Sequence, residues 1–308
     1  MSWSPISRAS YQNGTLLSIM RYLVELGFIC TTIESLYIKS KEFFVMDVAT
    51  RLASRLWEAR RQGGVVGRHV ANELESVEQA YVVQRRMESM SGMERFGWKV
   101  GATSKAAQRV LDTEDPVTAP MFLPFYFSSP GEFPVFAEQG FSVESEFAFR
   151  FSRDLPIRKH PYRMEEVLSA IDVLLPAIEI VASRFEGGFR GLGPIRLVAD
   201  MVVHAGLVTG SPVDDWKQVD LKLHVVKLLK NGDEVAVGIG ANVLGDPINV
   251  LEWTANHLSI RGEAINAGTI ISTGTCTGIV PVEPGDEVVA DFGDFGSVRL
   301  SLVEPNMT

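Results

Sequence analysis

"FSVESEFAFRF", residues 141–151, alternates strictly along most of its length. Phe141, Val143, Phe147, Phe149 and Phe151 fall on one side, and Ser142, Glu144, Glu146 and Arg150 on the other. A period of two predicts a β-strand. Its aromatic side must be buried. Its other side aims two carboxylates the same way, roughly 7 Å apart along the strand. Two readings follow: either this face is solvated, as charged faces usually are, or a cation sits between the two charges.

Working outward, "LLPAIEIVA" (174–182) places Glu179 in a run that is otherwise apolar on both faces. Such a run predicts a strand buried on both sides. A buried carboxylate without a partner costs several kcal/mol or shifts its pKa to become neutral. Glu179 therefore needs a lysine, an arginine such as Arg184, or a metal. Three carboxylates on one arginine would be over-anionic, whereas Mg²⁺ or Mn²⁺ accepts such a set with water completing the shell. Lys99, a lone charge in "GWKVG" (97–101), is the second candidate. Its stem could pack while its ammonium reaches water, or it could hold a second anionic group or move a proton beside a metal.

The rest of the chain bounds the fold. It has 308 residues, 46% of them hydrophobic, enough for one large or two modest domains. Its net charge of −9, without a basic block, argues against nucleic acid and anionic membranes as partners. Cys30 and Cys276 alone make no disulfide framework, so the cytoplasm is the expected compartment. In "TLLSIMRYLVELGFICTTI" (15–33), Arg21 and Glu25 interrupt the apolar run, which falls short of the ~20 residues a span needs. Residues 1–45 are read as an extension outside the core, with Met46 as the natural start. Residues 46–308 are read as one catalytic domain, helical to about 95 and β-rich over 96–304.

Local signals order the elements. Val48, Leu52 and Leu56 have helical spacing, and Ser76–Gln79 is a capping-box pattern opening a helix to about Met90. Residues 97–103 suggest a short strand, and 105–120 a loop because of Pro116 and Pro120. A helix is expected over 162–175, ended by Pro176, then a strand over 177–181 and a glycine-rich loop over 184–196. Asn231-Gly232 is a hairpin turn, and Pro247 opens a helix to about Leu258. Helices early and strands late predict an α+β fold. Among weaker features, "GTCTG" (274–278) is a turn or a carboxylate-binding loop through Thr275. His204 reads as a core histidine more readily than as a base.

"GWKVGATS", "VESEFAF", "LPAIEIVASRF", "GANVLGDPINVLEWTANHLS" and "TGTCTGIVPVEPGDEVVADFGDFGSVRLSL" occur in this order. Over about residues 46–304 the chain resembles the 2-keto-4-pentenoate hydratase and 4-oxalocrotonate decarboxylase family of the fumarylacetoacetate hydrolase superfamily. The resemblance implies a mixed β-roll core with flanking helices, in a homo-oligomer that can also complex with a neighbouring pathway enzyme of aromatic catabolism. It implies Mg²⁺ or Mn²⁺ on Glu144, Glu146 and Glu179, Lys99 as the active-site lysine, and 2-oxo acid substrates. Arg184, Asp200, His204 and Thr275 are further candidates for substrate contact. The chain departs from the family at two places. Val117 stands where many members carry an acidic residue, and Val203 where many carry a serine. His204, Asp112, Glu114 and Asp115 are candidates to compensate. The leading expectation is hydration of a 2-oxo-4-enoate. Decarboxylation of a 2-oxohexenedioate, hydrolysis of an acylpyruvate and a non-catalytic accessory role are the alternatives.

Overall fold

A computed structural model describes residues 48–305. The expected boundary at residue 45, and the extension before it, lie outside the described residues. The helices are α1 (48–62), α2 (Val77–Ser91), α3 (Lys105–Leu111), α4 (Met164–Ser169), α5 (Gly193–Ala199) and α6 (Pro247–Ile260). The strands are β1 (Arg95–Gly101), β2 (Val117–Phe122), β3 (Tyr126–Ser128), β4 (Gly131–Pro134), β5 (Ser142–Phe151), β6 (Ile171–Val181), β7 (His204–Thr209), β8 (Val225–Lys230), β9 (Asp233–Ile239), β10 (Ile270–Thr275), β11 (Val280–Pro281), β12 (Glu287–Asp291) and β13 (Ser297–Val303). The architecture is α+β, as the element order predicts.

Two mixed sheets form the core. The larger runs β2-β1-β10-β5-β6-β7-β3, with β11 also paired to β5; the smaller runs β4-β13-β12-β8-β9. The opening strand is thus central: β5 has β10 and β11 on one edge and β6 on the other. Its aromatic side packs into the main apolar cluster, where Phe147 meets Phe292 and Phe149 meets Trp216 edge-on. Among the described residues, no helix is long and apolar enough to cross a membrane.

Local chemistry sets the element ends. Ser76 and Ser104 cap α2 and α3 by accepting from the N–H groups of Gln79 and Ala107. Asp246 caps α6, and Pro247 occupies its first turn, where no N–H is needed. Asn231 and Gly232, both at positive φ, turn β8 into β9.

The structure corrects four expectations. The polar side of 141–151 is not solvated: Glu144 and Glu146 are buried. The helix expected over 162–175 stops at Ser169, and Ile171–Leu175 belong to β6. Pro176 does not end that strand, because its carbonyl accepts from Gly210 on the β7 side. The N–H that proline lacks would point the same way, so no bond to β5 is lost. The loop expected over 105–120 contains α3 and the start of β2, and α5 begins inside the loop expected over 184–196. Over 171–175, burial within the sheet outweighed the helical pattern.

Candidate metal centre

One face of the larger sheet carries the polar residues that the sequence singles out. Glu144 and Glu146 project from β5, Glu179 from β6 and Lys99 from β1. Each sits within a strand hydrogen-bonded on both edges, so its backbone is fixed by two neighbours. Glu144 and Glu179 are cross-strand partners, and Glu146 lies opposite Thr275 of β10. One oxygen from each of the three carboxylates lies within 4.8 Å of the others.

The partners differ, and the differences matter. Oε2 of Glu146 accepts from the Ser272 hydroxyl and from the N–H of Gly274 at 2.9 Å, while its Oε1 is buried without a partner. Oε1 of Glu179 lies 2.8 Å from Nδ1 of His204, so Nδ1 carries the proton and donates it. Oε2 of Glu179 lies 3.0 Å from Nζ of Lys99. This is a buried ion pair, and Nζ also donates to the carbonyl of Val202 at 3.1 Å. Lys99 is only 3% exposed, so its ammonium does not reach water.

Burial dominates the electrostatics. It pushes the carboxyls of Glu144 and Glu146 up to about 8, against the pull of Lys99 and with further push from neighbouring glutamates. Glu179 is raised by burial and pulled back by Lys99. Burial alone would lower the Lys99 ammonium, but Glu179, Glu144 and Glu146 outweigh it and raise the pKa. His204 falls well below its usual value through burial and the cations Arg60, Lys99 and Arg184, so it is neutral. Once ionised, the three carboxylates against one ammonium leave a deficit equal to one divalent cation. The orphaned Oε1 of Glu146 and the all-oxygen donor set fit a hard ion such as Mg²⁺ or Mn²⁺.

The remaining candidates sit elsewhere. Arg184 and Asp200 are fully buried and close on each other, with Nε 2.6 Å from Oδ1. Neither joins the carboxylate cluster. Thr275 spends its hydroxyl on Gly278, accepting at 2.8 Å and donating at 3.0 Å, as a turn residue does. It lines a groove of about 1310 Å³ together with Ser142, one step along the β5 face from Glu144. Asp112, Glu114 and Asp115 are exposed, whereas Val117 and Val203 are buried. Sequence reasoning missed Ser272 and Gly274 as partners of Glu146, and Arg60 as a half-buried cation near Arg184. Only register could have found Ser272, which is the cross-strand partner of both Lys99 and Ala148.

The model of the fumarylacetoacetate hydrolase C-terminal family matches residues 99–303. The chain belongs to this family. Among its relatives, 4-oxalocrotonate decarboxylase of Pseudomonas putida is 34% identical over 227 residues, 73% of this chain and 84% of that protein. The 2-keto-4-pentenoate hydratase of Paraburkholderia xenovorans strain LB400 is 32% identical over 236 residues, 75% and 86% of the two chains. The solved 4-oxalocrotonate decarboxylase of Pseudomonas putida G7, complexed with magnesium and adipate, superposes with a TM-score of 0.75 at 31% identity. That match covers 83% of this chain and 97% of the other. In this fumarylacetoacetate hydrolase family member, Glu144, Glu146, Glu179 and Lys99 all fall within the matched span.

Proposed function

We propose that the protein is a divalent-metal-dependent lyase acting on 2-oxo acids, and that its reaction is hydration of a monocarboxylic 2-oxo-4-enoate. The observation that carries this reading is the buried cluster of Glu144, Glu146 and Glu179 beside Lys99, short by the charge of one divalent cation. Glu144, Glu146 and Glu179 would hold Mg²⁺ or Mn²⁺. Such an ion supplies Lewis acidity to the keto oxygen and carboxylate of a 2-oxo acid. Lys99 keeps a fixed positive charge beside that position, offsets negative charge growing on the substrate's 2-oxygen and can hold a proton there. His204 orients Glu179 through its Nδ1–H. The groove past Ser142 offers an approach from solvent.

For 2-hydroxypenta-2,4-dienoate, the 2-hydroxyl gives up its proton as C5 gains one, leaving a 2-oxo-3-enoate; water then adds its hydroxyl at C4 and a proton at C3, giving 4-hydroxy-2-oxopentanoate without loss of carbon. Buried Val117 and Val203 favour a substrate lacking a distal carboxylate, since burying that charge against valines is costly. Decarboxylation of a 2-oxohexenedioate is the second reading, favoured by the structural match to 4-oxalocrotonate decarboxylase. Action in the cytoplasm as a homo-oligomer, alone or with a neighbouring pathway enzyme, accords with the family resemblance. The test is to offer both substrates and an acylpyruvate to the Mg²⁺-loaded protein and follow products by NMR. Robust CO₂ release from the dicarboxylate alone, or turnover of the acylpyruvate alone, overturns hydration; inactivity on all three favours an accessory role.

A further inference from the structure

Met201, Val202 and Val203 have φ of 53°, 50° and 55°. Three successive non-glycine residues in the left-handed region, two of them β-branched, cost about 1–2 kcal/mol each. Such a turn persists only if its surroundings force it. Here the forcing groups are two arginines, Arg184 buried and Arg60 half-buried. The Arg184 guanidinium donates to the carbonyls of Ala182, Asp200 and His204. The Arg60 guanidinium, from α1, donates to the carbonyls of His204 and Ala205. The Val203 carbonyl accepts from Ala182 at 2.8 Å.

Between these clamps, the carbonyl of Val202 meets Nζ of Lys99, and His204, the next residue after the turn, meets Glu179. Gly101 makes room for this arrangement. A Cβ on Gly101 would lie 2.5 Å from Cγ1 of Val202. We propose that the arginine-clamped turn 201–203 is a positioning device that sets Lys99 through the Val202 carbonyl, while His204, held at its own carbonyl by both arginines, keeps Glu179 in place. Arg60, Arg184, Gly101 and Val202 are its positioning residues. This rests on the metal-dependent reading above.

The test is Gly101→Ala, which pushes the turn from β1, paired with Gly101→Ala/Val202→Ala, which removes the clashing Cγ1. In Gly101→Ala, Lys99 loses its carbonyl anchor and its hold beside Glu179. The expected result is a fall in kcat of at least about tenfold with KM little changed. Mn²⁺ binding, measured by calorimetry, should tighten by about threefold or more, since a fixed positive charge beside the metal is released. The double variant should recover both quantities towards wild type. A general packing defect would instead weaken Mn²⁺ binding, and that result overturns the proposal. So does a single variant with wild-type kcat and Mn²⁺ affinity, or a double variant that fails to recover either quantity. If wild-type protein binds Mn²⁺ but turns over no substrate, the lyase reading fails while the Mn²⁺ comparison still decides the role of the turn. Absence of Mn²⁺ binding in wild type overturns both.

Discussion

Glu144 and Glu179 face each other as register partners across β5 and β6, both buried. Like charges directly opposite in a sheet are destabilising, and burial magnifies the effect. A pairing that local strand energetics disfavours therefore marks a place built for a cation. Saturating the protein with Mn²⁺ at 100 times Kd should add about 2.7 kcal/mol of stability. For a chain of this size that is a melting-temperature rise of about 4 °C. Scanning calorimetry with metal and with chelator checks it; equal melting temperatures would argue against a metal centre.

Glu146→Gln tests the ligand assignment. Ser272 and Gly274 hold one oxygen, leaving the other as the donor. The amide keeps the shape and loses the charge, so Mn²⁺ affinity should fall by at least about fiftyfold, roughly 2.3 kcal/mol. Isothermal titration with unchanged affinity would remove Glu146 from the ligand set.

Metal affinity should also depend on pH. Glu144 and Glu146 titrate near 8 when no cation is bound. Below that pH the metal must displace protons; above it, it need not. Affinity should rise about tenfold per pH unit per displaced proton from pH 6 to 8, then level off. A flat profile would mean that these carboxylates are already ionised at pH 6.

Lys99→Met keeps an apolar stem and deletes the charge. With metal bound, the fold should persist while kcat/KM falls at least about tenfold, or 1.4 kcal/mol of transition-state stabilisation. Mn²⁺ should bind more tightly, because the competing ammonium 3.0 Å from Glu179 is gone. Full activity in this variant would leave Lys99 as a charge-balancing residue only.

Away from the metal centre, His257 gives a stability signature of its own. Burial, helped by Arg261, lowers its pKa from 6.5 to about 4, and Nε2 lies 3.2 Å from the Tyr81 hydroxyl. The unfolded chain binds the extra proton first, so this contribution is complete above pH 6.5. It is lost as pH falls from 6.5 through 4, and is at most about 3 kcal/mol. Urea unfolding between pH 8 and 4.5 should show a steeper decline for wild type than for His257→Gln. Parallel curves would contradict the assignment.

Much of this was legible in the sequence where periodicity and chemistry agreed. The 141–151 alternation located the central strand, and Glu179 stood out because nothing in its apolar run could neutralise it. Asn231-Gly232 and the capping residues at Ser76 and Pro247 fixed a hairpin and two helices. Other features were hidden because they depend on contacts distant in sequence. Pro176 reads as a breaker until the turn at Gly210 is seen to absorb its missing N–H. The acidic face of β5 reads as solvated until Lys99 arrives from β1, two strands away. Arg184 looked free for Glu179 or a substrate, but Asp200 claims it. Nothing local announces that residues 201–203 turn left-handed.

The candidate site straddles β1, β5 and β6, and its residues are up to 80 apart in the chain, from Lys99 to Glu179. Closing loops of that length comes late in folding, because their entropy must be overcome before the contacts reward it. Lys99 therefore meets the carboxylates only once β1, β10, β5 and β6 have all paired. A cation that needs the complete site has little to grip in the transition state, so it should leave the folding rate nearly unchanged and slow unfolding instead. The centre then acts as a kinetic latch on a sheet that is already assembled.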